Sequence, residues 1–417
     1  MDQKVRMKNR KKIKLILLFL FSCATICAQK NRKVVFIIAD GIPADVIERL
    51  KPPALMSISK EGGYTRAYVG GEKNGYSETP TISAVGYNSL LTGVWVNKHN
   101  IRDNDIVAPN YNYWNIYRFF KTEYPKRTTA VFSTWLDNRT KLVGSDSAKA
   151  GNLQPEFYFD GMELDTIKYP HDSEGYFYHL IDQAVADTTA AYIKRTAPDL
   201  SWVYLEYSDE MGHRYGNSKQ LDDAVLKIDK QIQNIRNAIL YRQKTFNEEW
   251  QLWITTDHGR EQSGYHHGGQ SERERTTWIV TNAKDLNQRF GQRPAIVDIM
   301  PSIARFLNVH IPKARSMEID GISLTGKISG SDASARLKNG QLEVKWKVMN
   351  KDGKAKIWLS TTNNFKNGGE DEYKLMTEVP VANGSARIDM NKSRADFYKI
   401  VIELPYNSLN SWVIVDK

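Results

Sequence analysis

VVFIIAD, residues 34–40, is the stretch on which the fold turns. Val34, Val35, Ile37 and Ile38 are β-branched, and the run carries no charge until Asp40. A short unbroken apolar run of this kind predicts a strand buried on both faces, as in parallel sheets. An acid at its carboxyl end falls on the sheet edge where open α/β folds build their sites. The pattern recurs twice. WVYLEYS (202–208) leads into Asp209 and His213, and LWITT (252–256) leads into Asp257 and His258. His266 and His267 follow in YHHGGQ (265–270). Aspartates and histidines gathered on one edge form a ligand set for a pair of divalent, zinc-like ions, the apparatus of a metal-dependent hydrolase.

Outward from these runs, strand and helix alternate over about 33–324. Strands are expected at 34–38, 129–132, 202–206, 251–255 and 277–280. Leu221, Val225, Ile228, Ile232, Ile235 and Ile239 recur every three or four residues, which predicts an amphipathic helix capped by Asn217 or Ser218. A second helix is expected over 296–307, kinked or restarted at Pro301. The expected fold class is α/β, a mostly parallel sheet sandwiched by helices.

Beyond Gly326 the texture changes, and residues 327–336, rich in Gly, Ser, Ala and Lys, read as a linker. Leu342, Val344, Trp346 and Val348 then alternate with charged or polar neighbours, the period of a half-buried strand. Stretches 356–361, 374–379, 397–404 and 412–415 supply further strands. Asp352-Gly353 and Asn383-Gly384 are expected hairpin turns. Residues 337–417 are thus expected to form a small immunoglobulin-like β-sandwich beside a catalytic domain over 29–326.

Residues 1–28 stand apart. Lys4, Arg6, Lys8, Arg10, Lys11, Lys12 and Lys14 precede a short apolar stretch and small residues ending at Ala28. This is the layout of a secretory signal peptide, cut after Ala28, and the expected location is periplasmic or secreted. Cys23 offers a minor second reading as a lipid anchor. Losing seven positive charges and one negative charge takes the 417-residue chain from +10 to about +4. Its basic balance is therefore no argument for binding a nucleic-acid duplex. Both cysteines, Cys23 and Cys27, leave with that segment, so no intramolecular disulfide is expected. No later stretch is long and apolar enough to span a bilayer.

A metal pair still needs a nucleophile. Residues 77–101, SETPTISAVGYNSLLTGVWVNKHNI, offer Thr79, Thr81 and Ser83 ahead of a helix expected to end near Leu91. A hydroxyl at a helix start meets the positive end of the dipole and unpaired N–H groups suited to a phosphate. A nearby metal ion lowers its pKa for attack.

These motifs, in this order, resemble the nucleotide pyrophosphatase/phosphodiesterase branch of the alkaline phosphatase superfamily, over about 33–324. Asp40-Gly41 matches the pair that closes the family's first strand. The family's nucleophile lies nine residues before a Thr-Gly pair. Counting back from Thr92-Gly93 reaches Ser83, and His99-Asn100-Ile101 stands for the His-Gly-Ile-like triplet that follows. The resemblance implies one metal ion held by Asp40, Ser83, Asp257 and His258. It implies a second held by Asp209, His213 and His267, with His266 the fallback. Two zinc ions are the expected cofactors, and Asn104 is the expected donor to a phosphoryl oxygen.

The activity so implied is a phosphodiesterase or nucleotide pyrophosphatase, acting on a small phosphate ester or nucleotide-type substrate through a phospho-serine on Ser83. Val85 stands where the family often has Pro, and Gly86 where many nucleotide pyrophosphatases have Asn. Asn100 replaces a Gly. The first two departures bear on substrate more than on metal. A phosphomonoesterase on the same site is the nearest alternative. A surface glycan-binding protein with a decayed catalytic domain is the alternative of another class. A sulfatase is disfavoured, because the residues after Ser83 lack the Pro and Arg that formylglycine formation needs in that family. Cofactor-independent phosphoglycerate mutase is a further relative, although export argues against a glycolytic role.

Other signals have bland readings. Tyr111, Tyr113, Trp114, Tyr117, Phe119 and Phe120 read as core packing, and Arg273 and Arg275 as an exposed charge run. His99, His171, His179 and His310 read as packing or surface residues.

Overall fold

The computed structural model of the protein describes residues 30–391 and 395–415, so the signal-peptide and Cys23 readings lie outside the described residues. The decisive run becomes β1 (Asn31–Ala39), the middle strand of a seven-stranded sheet. The order is β2 (Gly63–Tyr68), β7 (Thr276–Thr281), β6 (Glu248–Thr255), β1, β5 (Leu200–Leu205), β3 (Thr129–Ser133) and β4 (Phe157–Phe159). β1 pairs in parallel with β5 and β6, and β3 is parallel to β5 and β4. β7 runs the other way, antiparallel to β6 and to β2. Sequence reading misses β2 and β4: GYTRAY has no clear alternation and FYF is too short to show a period.

Register brings the acids together. Ala39 lies opposite Leu205, and Ile38 lies opposite Thr255. The carboxyl ends of β1, β5 and β6 are therefore level, and Asp40, Asp209 and Asp257 follow at one edge. Side chains along β1 alternate between two cores. Val34, Phe36 and Ile38 pack in one with Leu90, Phe120 and Ile303, while Val35, Ile37 and Ala39 pack in the other with Ile181 and Ile228.

Helices α1 (Ala44–Leu50), α2 (Pro53–Ser59), α6 (Tyr176–Arg195) and α8 (Lys219–Thr245) feed the second of these cores. Helices α3 (Ser83–Thr92), α5 (Ile116–Glu123) and α10 (Ile299–Phe306) feed the first. Short helices α4 (Val96–His99), α7 (Tyr207–Tyr215) and α9 (Glu272–Arg275) complete the set used below. Ser218 caps α8 by accepting from the Leu221 N–H. The six-residue apolar stripe of α8 is buried, each side chain contributing about 1.5–3 kcal/mol. The expected 296–307 helix is a 3-10 turn over Ile296–Asp298 followed by α10, so the restart falls at Ile299, and Pro301 lies in the first turn of α10, where a missing N–H costs no internal bond.

The C-terminal part is a β-sandwich. One antiparallel sheet is β11 (Lys374–Pro380), β10 (Lys354–Ser360), β13 (Phe397–Glu403) and β14 (Ser408–Ile414). The other is β12 (Ser385–Asp389), β9 (Gln341–Val348) and β8 (Gly330–Lys338). Residues 330–336, read above as part of the linker, belong to β8. Small Ala333 and Ala335 alternate with exposed Asp332, Ser334 and Arg336, so the strand period is present but has little bulk. Asp352-Gly353 and Asn383-Gly384 are not hairpin turns. Each connects strands in different sheets, β9 to β10 and β11 to β12. The two-residue hairpin is Asn339-Gly340, between β8 and β9, with φ of +51° and +71°.

Candidate active site

Asp40 follows the central strand and is 1% exposed. Its Oδ2 accepts from the Tyr204 hydroxyl at 2.6 Å and from the Tyr87 hydroxyl. Its Oδ1 is buried and accepts no hydrogen bond. Asp257 is likewise enclosed: one oxygen accepts from the Gly41 N–H at 3.2 Å, and Oδ2 has no partner. Between them stands His258, whose Nδ1 is 2.9 Å from the Gly259 carbonyl. That bond assigns the proton to Nδ1 and leaves a lone pair on Nε2. Nε2 is 3.4 Å from Asp40 Oδ1 and 3.2 Å from Asp257 Oδ2. Two unpartnered carboxylate oxygens thus converge on an imidazole lone pair, an arrangement that is costly unless a cation fills it.

A second cluster adjoins the first. Asp209 and His213 lie one turn apart on α7, with Asp209 Oδ2 at 3.2 Å from His213 Nε2. His267 presents its Nε2 3.1 Å from that same His213 nitrogen. Its Nδ1 is tied to the Thr81 carbonyl at 2.9 Å, which again frees Nε2. The ligand atoms of Asp40, Asp257 and His258 lie within 4.8 Å of one another, as do those of Asp209, His213 and His267. The His258 and His267 rings stack at 3.6 Å and join the clusters. Carboxylate oxygens with imidazole nitrogens are donors that suit a zinc-like divalent ion. The residues present therefore fit a metal pair. His266, the fallback, is exposed.

Electrostatics agree with that fit. Burial, with the Asp209 charge, pushes the Asp40 carboxyl up to about 7. Burial and the Asp40 charge raise Asp257. Burial drives His258 and His267 down, which keeps both rings neutral and able to ligate. Burial raises the Asp209 carboxyl, but the Arg260 guanidinium, the His213 hydrogen bond and the neighbouring His258 and His267 together hold it well below the carboxylate range. His213 is raised by its hydrogen bond to Asp209.

Ser83 is the first residue of α3, and its Oγ lies 3.3 Å from His258 Nε2. The rival hydroxyls are occupied elsewhere. Thr81 donates to the Gly269 carbonyl at 2.9 Å and accepts from the Gly268 N–H at 3.0 Å, pinning the His267 loop. Thr79 donates to the Ser77 carbonyl at 2.8 Å. Asn104 is exposed, and its side-chain oxygen accepts from the Ala84 N–H at 3.0 Å. Its amide N–H groups donate to no protein group among the described residues. Asn100 adopts φ +61° at the end of α4, the left-handed position that Gly fills elsewhere.

Several residues of the site escape sequence reading. Arg260 is fully buried and donates to the carbonyls of Gly41, Asp209, Gly264 and Tyr265 as well as to the Asp209 carboxylate. Gly212 makes room for it: a Cβ there would lie 2.2 Å from Arg260 Cζ. The spacing Asp209-x-x-Gly212-His213 was the available hint. Tyr87, one turn after Ser83, and Tyr204, near the end of β5, brace Asp40 with no motif to mark them.

Arg273 and Arg275 are not an exposed charge run. Arg273 donates to the Glu261 carbonyl at 2.6 Å and to Asp45, while Arg275 donates to the Gly71 carbonyl at 2.7 Å and to Gln270. Ser271 and Glu274 form a capping box on α9 that holds this brace. His99 is buried, 3.0 Å from the Ser89 hydroxyl, and burial lowers it to about 3. Tyr113, Tyr117, Phe119 and Phe120 are buried; Tyr111 and Trp114 are only partly so. No helix among the described residues is long and apolar enough to cross a membrane.

The sequence model of a family described as type I phosphodiesterase / nucleotide pyrophosphatase matches residues 34–273. The 2,3-bisphosphoglycerate-independent phosphoglycerate mutase of Mycoplasma mycoides subsp. mycoides is 28% identical over 136 residues, 32% of this chain. The match spans 24% of that relative's own length. Among solved structures, Ps i-CgsB in complex with k-i-k-neocarrahexaose aligns at TM-score 0.51 and 12% identity, over 78% of this chain and 85% of that one. Murine ectonucleotide pyrophosphatase/phosphodiesterase 5 aligns at TM-score 0.47 and 13% identity, over 67% of this chain and 96% of that one. The likeness to Ps i-CgsB is one of fold.

Proposed function

The chain belongs to the type I phosphodiesterase / nucleotide pyrophosphatase family, and from that premise we propose that it is an exported two-metal phosphodiesterase or nucleotide pyrophosphatase. Its substrate is a small phosphate ester or nucleotide-type diester, and its nucleophile is Ser83. The observation that carries the reading is the convergence of the unpartnered Asp40 Oδ1 and Asp257 Oδ2 on His258 Nε2, which also neighbours Ser83 Oγ. Asp40, Asp257, His258 and Ser83 would hold one divalent ion, and Asp209, His213 and His267 the other, zinc being the ion these donors suit. When bound, such ions supply Lewis-acid stabilisation of charge on the oxygens around phosphorus and favour ionised hydroxyl groups.

The chain's own residues do the rest. Ser83 Oγ attacks phosphorus in line; the Oγ–P bond forms as the bond to the leaving oxygen breaks, giving a phospho-serine. The Asn104 amide and the free N–H groups at the start of α3 donate to the non-bridging oxygens. Water then cleaves the phospho-serine, and the Ser83 hydroxyl is regenerated. The gathered side chains support this reading over a decayed, glycan-binding one, because no packing need explains unpartnered buried carboxylate oxygens.

Ser83→Ala tests the nucleophile. It is expected to abolish turnover of bis-p-nitrophenyl phosphate while bound zinc, measured by atomic absorption, stays largely in place. Full turnover in that variant would overturn the role of Ser83. Rates on a matched monoester and diester then separate the phosphodiesterase from the phosphomonoesterase; faster monoester cleavage would favour the latter.

A further inference from the structure

A second cleft, of about 630 Å3, opens where residues 100–118 meet the 366–368 loop of the β-sandwich. Its walls carry four cations, Arg118, Lys149, Arg315 and Lys366, and no carboxylate lines it. None of the four takes part in an ion pair among the described residues. Arg118 and Arg315 are half-buried, and both guanidinium groups lie against Trp114, 4.2 Å and 3.9 Å from the ring centre. They donate only to backbone carbonyls: Arg118 to Tyr111 and Lys149, Arg315 to Asn112. Burial holds both below the usual arginine range, Arg315 further through the charge of Arg118 and against that of Glu370.

The cleft is built rather than incidental. The Asn110 amide donates to the Lys366 carbonyl at 2.7 Å, and the Asn112 amide donates to the carbonyls of Phe365 and Gly369 at 3.0 Å. Phe365 is buried against Tyr113. The loop that brings Lys366 is thus fastened to the α/β part, and both guanidiniums are held against the Trp114 ring before any ligand arrives. Two cations partly removed from water, repelling each other and without an ion-pair partner among the described residues, are stabilised by an anion that enters the cleft. Guanidinium forks match the tetrahedral oxygens of phosphate or sulfate groups. The volume is that of a small-molecule site at a domain junction.

We infer that this cleft is an oxyanion-binding site, distinct from the metal-ligand clusters, that takes a ligand bearing phosphate- or sulfate-type groups. The inner group is held by Arg118 and Arg315, and Lys149 and Lys366 at the rim hold a second. This goes beyond the phosphodiesterase reading and stands without it, since none of these residues belongs to the proposed catalytic machinery. The oxyanion has two sources, a free inorganic ion or groups displayed on a saccharide.

Isothermal titration of the full chain with inorganic sulfate and with a disulfated disaccharide, at low and physiological salt, tests the site. The disaccharide is expected to bind more tightly than sulfate and to lose about tenfold or more in affinity in the Lys149→Glu/Lys366→Glu double variant. Arg315→Gln should weaken both probes, while turnover of bis-p-nitrophenyl phosphate is unchanged in all variants. Equal binding of sulfate and disaccharide, lost in Arg315→Gln, would assign the site to a free ion and reject the displayed one. Binding of neither probe, or binding unaffected by the three substitutions, would overturn the inference. Because the readout is equilibrium binding, a failure here leaves the Ser83→Ala result untouched, and the reverse holds.

Discussion

Arg260 is the residue around which the candidate site is arranged. Its charge is enclosed under α7, and its five donors reach four backbone carbonyls and the Asp209 carboxylate. Arg260→Met should leave Asp209 ionised and unpaired in the chelated protein, at about 3–5 kcal/mol of stability. With zinc present the loss should shrink, since a bound cation also neutralises Asp209. Urea denaturation with and without chelator measures both, and equal losses in the two conditions would count against a metal at Asp209. Asp40 gives a pH dependence. Its carboxyl is raised from an ordinary 3.8 to about 7, so it favours the folded state while protonated. That contribution is full below about 3.8 and is lost as pH climbs through about 7; Asp257 acts in the same direction. The Asp40 contribution, read as the stability difference between chelated wild type and chelated Asp40→Asn, should thus fall between pH 5 and 7.5; the difference isolates it from His258 and His267, which burial lowers and which act in the opposite direction. A wild-type minus Asp40→Asn difference in the urea midpoint that rises over that range would contradict this role of Asp40.

At the scale of the element, α3 is the part that sets the chemistry. Gly86 lets its first turn lie against Asp257: a Cβ there would meet the Asp257 carbonyl oxygen at 2.8 Å and its Cβ at 2.9 Å. Neither atom is the free end of a flexible side chain, so the helix start, with Ser83, must shift. Gly86→Ala should therefore cost about 1–3 kcal/mol by overpacking and lower kcat by at least tenfold. Steady-state kinetics beside a denaturation curve check this, and wild-type kcat would show that α3 has room to move. Legibility also differed among elements. The stripe of α8 is bulky and stood out, whereas α6 buries small Ala186, Thr189 and Ala190 among its larger residues and did not.

For the whole molecule, the question is how the β-sandwich is fixed to the α/β part. Lys399 on β13 is buried and lies 2.7 Å from both Asp371 and Glu318, and Glu318 belongs to the segment after α10. Lys98 on α4 meets Asp320 at 2.6 Å, and the Asn410 amide donates to the Ile319 carbonyl. Ile322 and Ile328 pack in the sandwich core. The sandwich is therefore a second wall of the molecule rather than a tethered appendage. Lys399→Met should leave two enclosed carboxylates unpaired and cost about 3–5 kcal/mol, read from the urea midpoint. A change below about 1 kcal/mol would mean that Asp371 and Glu318 are solvated through another route.

The amino-acid sequence made the mostly parallel sheet legible, because unbroken β-branched runs alternating with an amphipathic helix pattern mark strands covered on both faces. It also determined which edge carries the acids and histidines, because each follows its run directly. The tertiary structure alone decided the rest. Which of Thr79, Thr81 and Ser83 faces His258 depends on how α3 packs, and a hydroxyl's neighbours are not written in its own stretch. Arg260, Tyr87 and Tyr204 reach the site from positions that look ordinary along the chain. The corners at Gly353 and Gly384 reverse the chain locally, but which sheet receives the next strand is settled by side chains far away in sequence.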